Sequence, residues 1–237
     1  MDEVENESIA LVVTSPPYNV GMEYEDKKSL KEYLYFLSDV WLKLKEKLII
    51  GGRLAINIAN TGRNPYIPLA SYVTQQLLHI GMVPEGEIIW VKPVSSKKAS
   101  VSFGSWRSPS NPMLSDRHEY VLIFRKDERR RDIKKIPQEI KEISQIDAIN
   151  FLQWRESVWN INPNSIKGHP CPFPRELARR LILFYSFASD IILDPFMGSG
   201  TTAVEAQSLN RRFVGYDSVR HYVAVANKRL EKIKYLS

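Results

Sequence analysis

Near the carboxyl end of the chain, a short apolar run leads into a glycine-rich turn and then into a run with helical spacing. The apolar run is Ile191–Leu193, the turn lies within Asp194–Thr202 (DPFMGSGTT), and the helical pattern is Thr201–Leu209. A strand, a glycine turn and a helix start form the nucleotide-binding corner of a doubly wound sheet, where free N–H groups face the ligand. The segment therefore predicts an α/β sheet with a nucleotide-like ligand. No Gly-Lys-Ser/Thr occurs in it, which argues against a phosphate-binding P-loop.

An acidic residue follows the next predicted strand. Asp217 closes Val214–Asp217, about twenty residues beyond the turn, where an acid can accept hydrogen bonds from both ribose hydroxyls. The alternative is a turn that only reverses the chain, with Asp217 as the N-cap of the last helix. The strand, the turn and the acid at this offset together favour a ligand-binding role.

Strands and helices alternate along the chain. The apolar patterns predict strands at Ile9–Val13, Arg53–Ala59, Glu87–Val91, His118–Arg125, Asp190–Leu193 and Arg212–Tyr216. They predict helices at Ser29–Leu48, Ile67–Ile80, Pro174–Phe187, Thr201–Leu209 and Val219–Ile233. This alternation indicates an α/β fold with a doubly wound, mostly parallel sheet. We expect a single domain over residues 1–237, into which residues 93–165 are inserted.

Composition is typical of an intracellular globular protein. Hydrophobic residues make up 43% of the chain, and its single cysteine excludes an intramolecular disulfide. No apolar run approaches the roughly 20 residues of a membrane helix, and the acidic N-terminus lacks a signal-peptide pattern. We therefore expect a cytoplasmic protein with no membrane partner. The net charge of +6 is compatible with a polyanionic partner, although many basic proteins bind no nucleic acid.

A proline-rich turn follows the first predicted strand. Ser15, Pro16, Pro17 and Tyr18 come directly after Thr14, so we expect them at the carboxyl edge of the sheet, where ligands bind. The amine of a nucleobase is a poor nucleophile because its lone pair is delocalised into the ring. Ser15 Oγ and the Pro16 carbonyl can accept its hydrogens, and Tyr18 offers a flat face for an extruded base. Taken alone, the same turn is equally typical of a rigid loop terminator.

The two motifs together resemble those of the amino DNA methyltransferases of prokaryotic restriction–modification systems. Thr14–Asn19 (TSPPYN) precedes Asp194–Thr202, which is the order of the β arrangement of that family. Further segments are similar to the family in the same order, namely Gly104–Pro112, His118–Tyr120 and His169–Pro174. The resemblance covers most of the chain outside residues 126–165.

The resemblance implies a Rossmann-like fold, S-adenosylmethionine as cofactor, and methylation of double-stranded DNA after the target base is flipped out. It makes residues 93–165 a target-recognition region. The residues carried over as the catalytic loop are Ser15, Pro16, Pro17 and Tyr18. Those carried over as the cofactor site are Asp194, Pro195, Phe196, Gly198, Ser199, Gly200, Thr201, Thr202, Asp217, Phe173 and Pro174.

A serine in the first position of the catalytic motif favours N4 of cytosine as the methyl acceptor. Family members with serine there tend to be cytosine-N4 enzymes, and those with aspartate tend to be adenine-N6 enzymes. Adenine N6 is the first alternative. A non-catalytic DNA-binding protein and the methylation of RNA or protein are others. A cognate restriction endonuclease, not in direct complex, is an expected functional partner.

One family feature is missing from the sequence. The family usually carries a further strand and a Gly-Asp pair that contacts the adenine ahead of the catalytic strand, whereas only Met1–Ser8 precede Ile9 here. We therefore expect the sheet to lack one edge strand. Either the natural start lies upstream, or a partner such as a second copy in a homodimer covers the edge.

Basic and aromatic residues of the predicted insertion are candidates for DNA contact. They are Lys97, Lys98, Trp106, Arg107 and Arg117. Such residues suit contact with phosphates and with an unstacked strand, and the alternative is a solvated loop whose aromatic residues pack on the sheet. The charge run Arg125–Lys135 is more typical of a solvated surface.

A metal site is not expected. His169 and Cys171 are only two candidate ligands, well short of a four-ligand zinc site. Cys171 lies between two prolines, which predicts a packed thiol rather than the attacking thiolate of a cytosine-C5 enzyme.

Overall fold

A computed structural model describes residues 1–18, 28–62, 65–93, 104–114, 116–162 and 174–234. The strands in these residues are β1 (Ile9–Thr14), β2 (Leu48–Ile58), β3 (Met82–Val91), β4 (His118–Lys126), β5 (Val158–Asn160), β6 (Ile191–Asp194) and β7 (Arg212–Gly215). The helices are α1 (Leu30–Lys47), α2 (Leu69–His79), α3 (Gln138–Ile143), α4 (Ala148–Trp154), α5 (Arg175–Tyr185), α6 (Thr201–Ser208) and α7 (Arg220–Lys234).

The described strands form one seven-stranded sheet in the order β5-β3-β4-β2-β1-β6-β7. β4 runs antiparallel to its neighbours β2 and β3, and the other neighbouring pairs are parallel. The carboxyl ends of the parallel strands therefore lie at one edge of the sheet, together with the start of β4. The predicted α/β fold with a mostly parallel sheet is confirmed.

Helix α1 shows how the sequence builds one face of the sheet. Ser29 and Glu32 form a capping box, each side chain accepting a hydrogen bond from the other's backbone N–H, which starts the helix. Its buried stripe at helical spacing includes Leu37, Trp41 and Leu44, which pack against the sheet in the first core cluster. α5 contributes a comparable stripe to the second cluster.

The boundary between α1 and β2 differs from the prediction. The sequence predicts that the strand begins at Arg53, but β2 already begins at Leu48, directly after α1, and runs through Gly51. Gly51 has a φ of 75°, and a Cβ there would lie 2.1 Å from the backbone nitrogen of Arg131. The glycine is therefore required for the close approach of another segment.

The predicted insertion, residues 93–165, includes two described strands of the sheet, and the bounds of the insertion stay a prediction. β4 lies between β2 and β3, and β5 pairs with β3 through Trp90 and Trp159. Trp159 is fully buried in the second core cluster. β5 has three residues, which is too short for a recognisable alternation in the sequence. A role of this region in DNA recognition stays a prediction.

The two outermost strands of the described sheet are β5 and β7, and β7 pairs with β6. Met1 and Val4, which precede β1, pack against the first core cluster together with Tyr216. None of the helices in the described residues combines the length and apolar character needed to cross a membrane.

Candidate active site

Two motifs that are far apart in the sequence meet where β1 and β6 end. The two strands are parallel neighbours, so Thr14 at the end of β1 lies beside Asp194 at the end of β6. Thr14 Oγ1 donates a hydrogen bond of 2.7 Å to Asp194 Oδ1. The predicted catalytic loop and the glycine-rich turn therefore lie together at the carboxyl edge of the sheet.

The Asp194 carboxylate holds this junction from inside the protein. It is 4% exposed, Oδ1 also accepts from the Phe196 N–H at 3.0 Å, and Oδ2 accepts from the Thr202 hydroxyl at 2.9 Å. Burial raises the pKa of Asp194 to about 6, although these hydrogen bonds act in the opposite direction. The carboxylate thus fixes the turn between β6 and α6, and its contact with a cofactor stays a prediction.

The glycine-rich turn depends on its glycines. Gly198 and Gly200 have φ values of 50° and 78°, in the left-handed region that favours glycine. At Gly200 a Cβ would lie 2.6 Å from the Cβ of Ala226 in α7. The turn leads into α6, whose first turn presents N–H groups and the positive end of the helix dipole. This cradle fits a ligand that carries a carboxylate or polar hydroxyl groups.

Asp217 lies beside the glycine-rich turn, and each of its carboxylate oxygens accepts a backbone hydrogen bond. Its Oδ2 accepts from the Gly198 N–H at 2.9 Å, and its Oδ1 accepts from the Val219 N–H at 2.8 Å. The second bond resembles an N-cap before α7, whereas the first links the acid to the glycine turn. The carboxylate therefore lies beside the glycine-rich turn, and its contact with a ribose stays a prediction.

Two side chains that the sequence did not identify complete this part of the site. Arg229 of α7 donates to the Ser199 carbonyl at 2.5 Å and lies 3.4 Å from Thr201 Oγ1. Phe36 of α1 contacts Phe196 edge-on, with ring centroids 5.9 Å apart. Both residues occupy ordinary positions of amphipathic helices, so no local pattern distinguishes them.

The remaining predicted cofactor residues are distributed around the turn and α5. Those that are buried in the turn and α6 are Pro195, Ser199, Thr201 and Thr202. Pro174 is the N-cap residue of α5, and Phe173 lies outside the described residues.

A polar cluster lies behind the predicted catalytic loop. Ser15 Oγ is 3.2 Å from the Tyr18 hydroxyl, which donates to Glu119 Oε2 at 2.9 Å. Asn57 Nδ2, at the end of β2, is 2.6 Å from Glu119 Oε2 and 3.0 Å from the Tyr18 hydroxyl. Lys92, which follows β3, forms an ion pair with Glu119 Oε1. Side chains from β2 and β4 thus hold the loop that follows β1, and Lys92 pairs with one of them.

The backbone and protonation of the loop are also fixed. The Tyr33 hydroxyl of α1 donates to the Pro17 carbonyl at 2.6 Å. Burial, followed by the charge of Glu119, raises the pKa of Tyr18 well above its ordinary value of 10.0. Tyr18 therefore stays a neutral phenol at physiological pH. Pro16 is buried, and the use of its carbonyl as a second amine acceptor stays a prediction.

An exposed connection between β3 and β4 borders the same edge of the sheet. Trp106 is 71% exposed and Arg107, also exposed, has a φ of 52°. The carbonyl of the exposed Arg117 accepts a hydrogen bond of 2.8 Å from the Lys92 N–H. Trp106 is therefore largely open to solvent, and contact of these residues with DNA stays a prediction, with a solvated loop as the alternative. Lys97 and Lys98 lie outside the described residues.

This combination of a proline-rich loop, a glycine turn and an acid is matched by a known family. The model of the N6/N4 DNA methylase family matches residues 9–228 of the chain. The chain belongs to this DNA methylase family. The predicted family resemblance is thereby confirmed.

Individual DNA methylases resemble the chain over nearly its whole length. Type II methyltransferase M.MjaI of Methanocaldococcus jannaschii is 32% identical over 256 residues, which is 92% of this chain and 83% of that protein. DNA adenine methyltransferase YhdJ of Escherichia coli K12 is 26% identical, over 100% of this chain and 81% of that protein.

Solved structures share the fold. TTHA0409 of Thermus thermophilus, in complex with S-adenosyl-L-methionine, has a TM-score of 0.81 and 28% identity, and covers 98% of this chain and 88% of its own. The cytosine-N4-specific PvuII DNA methyltransferase has a TM-score of 0.71 and 21% identity, and covers 99% of this chain and 86% of its own. The predicted methyltransferase fold is confirmed.

The basic run Arg125–Lys135 of this DNA methylase begins at the end of β4, on the side of the sheet where the parallel strands begin. Arg131 forms a bidentate ion pair with Asp190, just before β6, at 2.6 and 2.7 Å. Arg129 pairs with Asp127 at 2.8 Å. These contacts support a structural role for the run and place it away from the catalytic loop.

The described residues contain no group of three or more His, Cys, Asp or Glu side chains that could hold a metal ion. His169 and Cys171 lie outside the described residues.

Three residues of the polar cluster were missed as functional residues. Glu119 belongs to His118–Tyr120, which resembles a family segment, but its residue type alone indicated no role. Asn57 interrupts the apolar run Leu54–Ile58, and a polar residue at a buried strand position is a signal that could have been used. Lys92 follows β3 without any such signal.

Proposed function

We propose that this chain transfers the methyl group of S-adenosylmethionine to N4 of a cytosine in double-stranded DNA, at a specific sequence and after the base is flipped out. The observation that carries the proposal is the Thr14–Asp194 hydrogen bond, which joins the Ser15–Tyr18 loop to the glycine turn. A cofactor in the turn and a base on the loop would then lie next to each other. Proximity and alignment of the two reactants supply much of the catalysis in such a transfer.

The cofactor part of the site fits S-adenosylmethionine. Gly198 and Gly200 leave room for close backbone contact, the start of α6 suits the methionine carboxylate, and Asp217 suits the ribose hydroxyls. TTHA0409, with 28% identity, was solved with this cofactor bound. When bound, it supplies an electrophilic methyl group on a sulfonium.

The protein's own residues act on the base. Ser15 Oγ accepts a hydrogen of the exocyclic amine, so that the nitrogen lone pair is drawn out of the ring and becomes nucleophilic. The face of Tyr18 stacks on the flipped base, while its hydroxyl is held by Glu119. The Tyr33–Pro17 hydrogen bond keeps the loop in place during the reaction.

The exposed connection between β3 and β4 supports a DNA-binding role for this edge of the sheet. Trp106, Arg107 and Arg117 are exposed in this connection, and aromatic and basic side chains of this kind can contact the displaced strand and phosphates. Lys97 and Lys98 belong to the same connection in the sequence.

The target base is argued from Ser15. Serine at the first position of the motif favours cytosine N4, and the PvuII methyltransferase with the same fold is cytosine-N4-specific. Adenine N6 is the second candidate, because the relative YhdJ is a DNA adenine methyltransferase. A homodimer, a cognate restriction endonuclease and a cytoplasmic location remain predictions.

The identity of the methylated nucleoside tests the proposal. Purified protein is incubated with S-adenosylmethionine and unmethylated phage DNA, and the digested nucleosides are analysed by mass spectrometry. We expect N4-methylcytosine, which appears only with both protein and cofactor. Detection of N6-methyladenine instead would show that the target base is adenine. DNA binding without any methylated nucleoside would support the non-catalytic alternative.

A further inference from the structure

Glu119 is a buried carboxylate that contacts the predicted catalytic loop through Tyr18. It is 7% exposed and lies one step behind the catalytic loop, next to the Tyr18 hydroxyl. Its Oε2 accepts from Tyr18 and Asn57 at 2.9 and 2.6 Å, and its Oε1 pairs with the Lys92 ammonium. A carboxylate that receives three donors, one of them charged, acts purely as a hydrogen-bond acceptor.

This acceptor fixes the direction of the next hydrogen bond. A phenol has a single hydrogen, and that of Tyr18 points to Glu119 because a carboxylate oxygen lies 2.9 Å away. In the 3.2 Å contact between the Tyr18 and Ser15 hydroxyls, the hydrogen must therefore come from Ser15. The Asn57 amide also donates to the Tyr18 oxygen, at 3.0 Å, so this oxygen accepts from Asn57 as well as from Ser15.

The direction of these hydrogen bonds determines whether Ser15 Oγ can accept a hydrogen bond from a substrate. A serine hydroxyl has one hydrogen and two lone pairs. The two Asn57 amide hydrogens are directed to Glu119 and Tyr18, and its 3.4 Å contact with Ser15 is long, so Ser15 Oγ, with its hydrogen directed back to Tyr18, keeps a lone pair for a ligand. An exocyclic amine can donate to that oxygen, whereas a keto oxygen cannot.

We propose that Glu119 is a positioning residue that sets the direction of the Ser15–Tyr18–Glu119 hydrogen-bond chain, so that the pocket selects bases with an amino group and rejects keto bases. The proposal rests on the proposed function and adds a source of selectivity to it. A pre-oriented acceptor needs no rearrangement when the amine arrives, and such fixed dipoles contribute to rate as well as to choice of substrate.

The variant Glu119→Gln tests this direction with little change in volume. Its amide can donate to the Tyr18 oxygen, which releases the phenol hydrogen towards Ser15 and leaves Ser15 as a donor. We expect kcat to fall about 10- to 100-fold, the usual effect of reversing one buried hydrogen bond, while the Kd for S-adenosylmethionine stays within about twofold. Glu119→Asp keeps an acceptor and should recover part of the rate.

A binding measurement distinguishes a changed hydrogen-bond direction at Ser15 from a general structural defect of the variant. Duplexes carry either cytosine or uracil at the position that the wild-type enzyme methylates, in each case opposite an abasic site, so that base pairing does not contribute. We expect the wild-type enzyme to bind the cytosine duplex about 10-fold more tightly, and Glu119→Gln to reduce that ratio to about one. Tyr18→Phe keeps the ring but removes the hydroxyl that links Ser15 to Glu119, and it should reduce the cytosine-to-uracil ratio similarly.

The outcomes distinguish the two proposals. An active wild-type enzyme whose cytosine-to-uracil ratio is unchanged in both variants would overturn the role of Glu119 but not the methyltransferase function. A wild-type protein that methylates no base would overturn the proposed function first. If Glu119→Gln fails to fold, Tyr18→Phe decides the matter alone.

Discussion

Replacing Asp194 by asparagine will remove a specific part of the pH dependence of stability. The Asp194 carboxyl has a pKa raised to about 6 in the folded protein, mainly by burial, against an ordinary value of 3.8. Between these two pH values the folded protein holds a proton that the unfolded chain has released. Stability therefore falls as pH rises through this window, and the loss is complete above the folded pKa.

The size of the effect follows from the two pKa values. Their difference corresponds to about 3 kcal/mol of unfolding free energy. For a chain of this length that amounts to about 6–12 °C in melting temperature. Because Asp194 is almost fully buried, solvent screening reduces this value little. An asparagine has the shape of the protonated acid and does not titrate.

The assay compares wild-type protein with Asp194→Asn, without cofactor, by thermal and urea unfolding from pH 4 to pH 8. The stability of the wild type relative to the variant should fall by about 2.4 kcal/mol between pH 4 and pH 7 and then stay constant. In Thr14→Val, which lacks the 2.7 Å hydrogen bond to Asp194, the folded pKa and with it the upper end of the window should move to higher pH. A difference between wild type and Asp194→Asn that does not vary with pH would refute the reasoning.

Three further variants test other contacts. Gly200→Ala places a methyl group 2.6 Å from the Cβ of Ala226 at a φ of 78°, so it should lower stability by about 2 kcal/mol in calorimetry, with partial recovery in the double variant with Ala226→Gly. Asp217→Asn weakens a charge-assisted acceptor and should raise the Kd for S-adenosylmethionine about 10-fold in titration calorimetry; an unchanged Kd would argue against the ribose contact. Arg131→Ala breaks a bidentate ion pair at the far edge and should lower the melting temperature without changing the Kd for DNA, whereas a weaker DNA complex would place DNA on that edge.

The parts of the fold that could be predicted are those with a local signature. Long amphipathic helices such as α1, with a capping box and a buried stripe, and apolar strands such as β1 are encoded within a few residues. β5 was missed because it becomes a strand only by pairing with β3. Pairing between residues that are distant in sequence is decided by packing rather than by a short pattern.

The same distinction applies to the candidate site. The Ser15–Tyr18 loop and the glycine turn could be identified because each is a continuous motif after a strand. Glu119 and Asn57 reach the loop only through the antiparallel register of β2 and β4. Lys92 and Arg229 are of residue types that usually lie on the surface. Their partners lie on other elements, so their roles follow from the folded geometry alone.

The most direct test of the account is methyl transfer by Ser15→Ala. Transfer of labelled methyl from S-adenosylmethionine to unmethylated DNA is measured for wild-type protein, Ser15→Ala and the control Ser71→Ala on the exposed face of α2, together with DNA and cofactor binding. The account predicts a rate reduced by about 100-fold or more in Ser15→Ala, unchanged rates in the control, and intact binding in all three. Transfer at the wild-type rate by Ser15→Ala would contradict it.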